Sequence, residues 1–234
     1  VVNGNFLDAV TTKTLTTANT VSLSLNRSLR NLATGMSINT GADGPARLIS
    51  SQDLRATLAF LEGQVSSLQR TDQVAATADA ALGEVSDLLS EANALEVELA
   101  NTGGLSGSEQ AAIQGEIDSI LQQVDRIASS TTFNGQNLLD GNATLRAEPD
   151  TLVIAKVSTR ALGGIEINSQ DYVLADVGSS ASLADDPSAA QQVIGAAISD
   201  VATARARLGG FQSNTLSTRI NAFSTAIENV SAAD

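Results

Sequence analysis

The chain is predicted to be mainly α: an elongated antiparallel bundle of long helices with a small β-hairpin region at one end. Three observations carry this. Apolar residues recur at threes and fours over most of the 234 positions, the spacing of one helix face. The apolar complement, 42% of the chain, includes no Trp, one Tyr and five Phe, so Ala, Leu, Ile and Val must fill narrow helix seams and not a thick aromatic core. Finally, β-branched residues punctuated by Gly turns are confined to one stretch of the second half. The domain reading is an amino-terminal arm over residues 1–40, the amino-terminal part of a helical rod over 41–139, a short β-rich segment over 140–187 and a carboxy-terminal rod helix over 188–234.

In the arm, Leu15, Ala18, Leu25, Leu29, Leu32 and Met36 mark a thin stripe, with Ser22 at its one polar position. Burying a large apolar side chain stabilises by roughly 1.5–3 kcal/mol, and ordering backbone costs about 1–2 kcal/mol per residue. A stripe this sparse does not offset the ordering of the arm. The arm is therefore expected to stay disordered until an assembly partner packs on it. Thr34-Gly35 and the turn-rich residues 39–45, ending in Pro45, break the tract, because Gly supplies positive φ and Pro disfavours a helical residue before it.

A second helix is expected from about Gln52 to Ala100, with Leu54, Leu58, Leu61, Val65, Leu68, Ala75, Ala78, Leu82, Val85, Leu89, Ala92 and Leu99 on one stripe. Asp72 and Glu96 interrupt its seam. At about 1.5 Å per residue the rod is on the order of 70 Å long. Residues 101–104 end it, and a third helix beginning near Ser108 carries Ile113, Ile117, Ile120, Val124 and Ile127 in unbroken four-three alternation.

From Phe133 to Tyr172 the period changes to that of strands, with Asn134-Gly135, Asp140-Gly141 and Gly163-Gly164 as turn signals for two or three short hairpins. Asp185, Asp186 and Pro187 then open a last helix, since helix beginnings favour acids and an early Pro. Its seam runs through Ile194, Ala197, Val201, Ala204, Leu208 and Phe211, then Leu216, Ile220, Phe223, Ile227 and Val230. The phase slips by one residue after Gly209-Gly210, which predicts a local change of winding. None of the stripes can bury itself alone, so the second, third and last helices should pack lengthwise, with Leu82, Leu89, Ile120 and Phe211 in their shared core.

Composition removes most other functions. Zero Cys and zero His leave no thiolate or imidazole catalysis and no usual zinc site, and the 26 acidic residues are scattered over polar helix faces as a solvated surface. No enzyme activity and no cofactor is expected. A net charge of -13 with only two lysines, Lys13 and Lys156, repels nucleic-acid phosphates and anionic lipid heads. No run approaches the roughly 20 apolar residues of a membrane span, and the opening residues lack the basic flank of a secretory signal.

Four segments give the chain a family likeness. Residues 29–47 read LRNLATGMSINTGADGPAR, residues 80–85 AALGEV, residues 131–135 TTFNG, and residues 204–210 with 229–233 ARARLGG and NVSAA. In this order they resemble the core signatures of bacterial flagellin. The resemblance implies an extracellular subunit of the flagellar filament that self-assembles through its terminal helices for motility. It implies passage through the type III export apparatus without a cleaved signal, an export chaperone, and contact with filament cap and junction proteins. The alternative is a hook-filament junction protein, which shares the terminal signatures; TTFNG and the closing NVSAAD favour flagellin. The resemblance also implies a longer carboxy-terminal segment pairing with the arm, so a chain ending at Asp234 is expected to lack that partner.

In stimulatory flagellins a patch on the long helix is read by a Toll-like receptor, and the resemblance maps it onto Glu91, Leu95 and Glu116. The Leu and the second Glu match. A basic residue is usual where Glu91 stands, and a carboxylate there reverses the local charge. Weak recognition is expected, and Glu91 is equally readable as a solvated helix position.

Overall fold

The computed structural model describes residues 2–35, 45–100, 104–178, 183 and 186–233. Met36, the turn at 39–44, residues 101–103 and Asp185 lie outside them. The chain forms two compact units, Val1–Leu61 with Ile227–Asp234, and Glu62–Ala226.

Helix α1 spans Val2–Thr34. Its composition resists the helix, since Thr is among the poorer formers. The hydroxyls turn back on the backbone: Thr17 Oγ1 donates to Lys13 O at 2.8 Å, Ser24 Oγ to Val21 O at 2.8 Å and Thr34 Oγ1 to Arg30 O at 2.9 Å. Helix α2 spans Pro45–Ala100 and starts earlier than the Gln52 expected. Pro45 does break the preceding tract, but at the first helical position its missing N–H costs nothing and its fixed φ suits the helix.

In the second unit, α3 spans Gly107–Ser130 and opens on a capping box, in which Ser106 and Glu109 satisfy each other's backbone N–H. The sequence SGSE carries that signal two residues before the start read at Ser108. Bonding to Ser106 holds the Glu109 carboxyl below its usual range. Three antiparallel strand pairs follow: β1 (Thr132–Phe133) with β2 (Gln136–Asn137), β3 (Thr144–Ala147) with β4 (Asp150–Val153), and β5 (Ile165–Ile167) with β6 (Gln170–Tyr172). Asn134 and Gly135 turn the first with φ of 50° and 79°, as a two-residue hairpin turn requires. The third turns at Asn168-Ser169, φ 53° and 67°, and not at Gly163-Gly164, which precedes β5. A short 3-10 turn, Leu174–Asp176, follows.

Helix α4 spans Pro187–Gly210 and is capped by Asp186, whose side chain accepts from Ala189 N at 3.1 Å. It runs through a π-helical turn, Phe211–Leu216, into α5, Ser217–Ala233. The wider π turn absorbs the extra residue by which the seam slips, so Phe211 and Leu216 are both buried.

Three polar pairs set the direction of α4 and the π turn that continues it against α2. Asp72 accepts from Gln212 at 3.0 Å, Asp79 from Arg205 at 3.0 Å, and the Glu96 carbonyl from Gln191 at 3.2 Å. The numbers rise on one helix as they fall on the other, so the pair is antiparallel. Between them small residues alternate with large: Ala75, Ala78 and Ala92 on α2 and Ala190 and Ala197 on α4 are fully buried beside Leu82, Leu89 and Ile194. Small positions let the backbones approach while the large ones fill the seam. Ile117, Ile120 and Val124 of α3 complete the same core. Leu82, Leu89, Ile120 and Phe211 are buried within it at 1%, 0%, 3% and 8% exposure.

The β segment is tied to every helix of this unit. Thr71 Oγ1 of α2 donates to Arg146 O at 3.3 Å, Asp125 of α3 accepts from the N–H and hydroxyl of Thr159 at 2.8 and 2.9 Å, and Arg219 of α5 reaches Asp150 at 3.3 Å. At α4 the approach is closer. Gly163 has φ 72°, its N–H donates to Asp200 at 3.0 Å, and a Cβ there would stand 2.6 Å from Val193 O. Only glycine fits that crossing.

Candidate assembly surface

Seven large apolar side chains of α1 face solvent: Val10, Leu15, Val21, Leu23, Leu25, Leu29 and Leu32, between 45% and 82% exposed. Ile49 and Phe60, in the part of α2 belonging to the same unit, are 60% and 63% exposed. Among the described residues of this unit only Leu61 is buried. Apolar area is usually spread singly over a protein surface, and a continuous run marks an interaction site. Val10, Leu15, Val21, Leu25, Leu29 and Leu32 fall on one side of α1 with the spacing of an open helix–helix seam, and Leu23 lies on the opposite side.

On the second unit, Glu91 is exposed on α2, Leu95 is half-buried one turn further on, and Glu116 is exposed on α3. Leu95 packs partly against the core, which leaves the two carboxylates as the solvent-facing chemistry of these positions. Among the described residues three polar ones are buried, Glu96, Gln114 and Thr159, of which the sequence marks only Glu96, as a charge on the α2 seam. Thr159 is satisfied by Asp125, and Gln114 donates to Val177 O at 3.1 Å. Glu96 has no such partner. Its only sequence signal was a charge on an apolar seam.

No group of three or more His, Cys, Asp or Glu among the described residues could hold a metal ion, and no described helix is long and apolar enough to cross a membrane. One unit has a closed helical core, and the other presents a helical arm whose large apolar side chains are exposed, the architecture of a structural subunit and not of a ligand-binding enzyme fold.

Comparison with known proteins makes the class specific. Residues 5–144 match the family model of the bacterial flagellin N-terminal helical region. The flagellar filament 33 kDa core protein of Treponema phagedenis is 28% identical over all of this chain and 84% of its own length. The flagellin of Bacillus subtilis is 28% identical over all of this chain and 85% of its length. Among solved structures, Bacillus cereus flagellin shares the fold at a TM-score of 0.51 and 24% identity, over 71% of this chain and 93% of that one. A putative flagellar hook-associated protein from Vibrio parahaemolyticus shares it at 0.68 and 15%, over 83% and 98%. The chain belongs to the bacterial flagellin family. It is a structural subunit of the extracellular flagellar filament and serves motility by self-assembly.

Proposed function

We propose that assembly runs through the terminal helices, with α1 holding its helix only when its apolar face is covered by other subunits, and that the chain carries no enzymatic activity. The observation behind this is six exposed large apolar residues along one side of α1, Val10, Leu15, Val21, Leu25, Leu29 and Leu32. An isolated helix of poor formers gains too little from its own hydrogen bonds to persist. Covering the stripe supplies the missing term, so folding of the arm and joining the filament are one event. Passage through the type III export apparatus, an export chaperone and contact with cap and junction proteins belong to the same reading.

Amide exchange on dilute and assembled protein tests it. Residues 15–32 should exchange quickly in the monomer and become protected in the polymer, while residues 113–127 are protected in both. Equal protection of the two stretches in dilute solution would refute coupled folding.

We also propose that a flagellin-sensing Toll-like receptor binds this chain weakly. Glu91 presents a negative charge where stimulatory relatives carry a positive one, and like or unlike charge at a desolvated contact is worth a few kcal/mol, roughly 10- to 100-fold in affinity. Glu91→Arg should raise binding and signalling by about that factor. Strong signalling by the unmodified chain would show that Glu91 is only a solvated helix residue.

A further inference from the structure

Glu96 lies in the seam of α2 between Ala92 and Leu99, with 0% of its surface exposed. Neither carboxyl oxygen has a hydrogen-bond partner among the described residues, although the residue's backbone carbonyl is bonded by Gln191 of α4. Asp72, the other charge on this seam, is met by Gln212. A buried carboxylate without a partner costs far more than a buried carboxylic acid.

The surroundings offer no compensation. Residues 71–125 contain eleven acids and neither Lys nor Arg, and α4 carries no base before Arg205. The nearest ionisable groups along α2 are Glu91 and Glu98; α3 carries Glu109, Glu116, Asp118, Asp125 and Arg126, α4 carries Asp200, Arg205 and Arg207, and Asp176 and Asp186 lie ahead of α4. Arg205 is paired with Asp79, well along the seam from the level of Glu96 and Gln191. Glu109, Asp176 and Asp186 are engaged by Ser106, Val173 N and Ala189 N.

We propose that Glu96 is a protonation latch in the α2–α4 seam: as a neutral acid it lets the helices close, and as a carboxylate it drives them apart at this level. The proposal is independent of how the arm assembles, because it rests on packing inside one unit.

Burial raises the Glu96 pKa from 4.5 to about 7 in the folded chain. The folded state therefore holds the proton more tightly than the unfolded one. The Glu96 contribution to stability is constant below about pH 4.5, falls as pH rises between 4.5 and 7, and levels off above. Each pH unit in that window shifts the unfolding equilibrium by up to about tenfold. Glu96 thus favours a closed seam on the acid side of neutrality.

Urea unfolding of the full chain at pH 5, 6, 7 and 8 tests this, with Glu96→Gln and Glu96→Leu as comparisons. Every other carboxylate titrates alike in all three proteins, so the ratio of unfolding constants isolates Glu96. Relative to either variant, the unmodified chain should lose on the order of 100-fold in folding equilibrium between pH 5 and pH 8. A ratio independent of pH would overturn the latch. Carbon-13 titration of the Glu96 carboxyl in the unmodified chain gives a readout that needs no variant: a midpoint near 7 supports the proposal, and one near 4.5 sinks it.

Discussion

Leu89→Ala should destabilise the helical unit by about 2–5 kcal/mol. Leu89 is fully buried on the α2 seam, among core residues from α2, α3 and α4. Truncation removes the transfer free energy of the lost carbons and leaves a hole, and a seam built from alternating small and large residues has little slack with which to fill it. Val97, eight residues further along the same helix, is 55% exposed. Val97→Ala should therefore change stability by less than about 0.5 kcal/mol. Urea unfolding of both variants checks the pair. An unchanged midpoint for Leu89→Ala would move that stripe out of the core and onto a face free to meet another subunit.

The double substitution Leu25→Ser with Leu29→Ser should leave the stability of the second unit untouched and suppress polymerisation. These side chains stand one turn apart on α1, 58% and 54% exposed, so the monomer loses no buried contact. If assembly buries both, roughly 1.5–3 kcal/mol is lost at each, and the critical concentration should rise by about 100-fold or more. Sedimentation of polymer across a concentration series measures it. The same critical concentration in the two proteins would show that the face of α1 is not the assembly seam.

The two substitutions probe opposite outcomes of a similar pattern. Leu25, Leu29 and Leu32 of α1 and Leu82, Val85 and Leu89 of α2 follow the same threes-and-fours spacing, yet the first set is exposed and the second buried. Spacing reports that a helix has an apolar face. It does not report what covers the face. A stripe as sparse as that of the arm does not offset the entropy of ordering it, which is the sequence's ground for expecting a partner there.

Much else was legible for local reasons. The three helical tracts of the rod, the Asp186 cap, the Asn134-Gly135 turn and the phase slip that becomes a π turn each depend on residues a few positions apart, where sterics and hydrogen bonding act directly. The β segment was legible as hairpins but not in its turns. The β3–β4 pair reverses at Glu148-Pro149 and the β5–β6 pair at Asn168-Ser169, neither of which is a Gly signal. Gly163, which resembles a hairpin glycine, serves instead to let backbone pass Val193, a neighbour 30 positions away in sequence.

The sequence by itself determined which stretches are helical, which face of each is apolar, and that the chain given contains neither Cys nor His. Those conclusions rest on composition and short-range periodicity, which no distant residue can alter. Only the tertiary structure decided the fate of the two charges on the α2 seam. Asp72 and Glu96 look alike in the sequence, each an acid where an apolar residue belongs. Antiparallel packing sets Gln212 against Asp72 and leaves the Glu96 carboxyl unpartnered, so one is a satisfied cross-link and the other a proton-dependent weak point. The difference arises because a hydrogen bond across two helices is fixed by their register, and register is set by the whole seam at once.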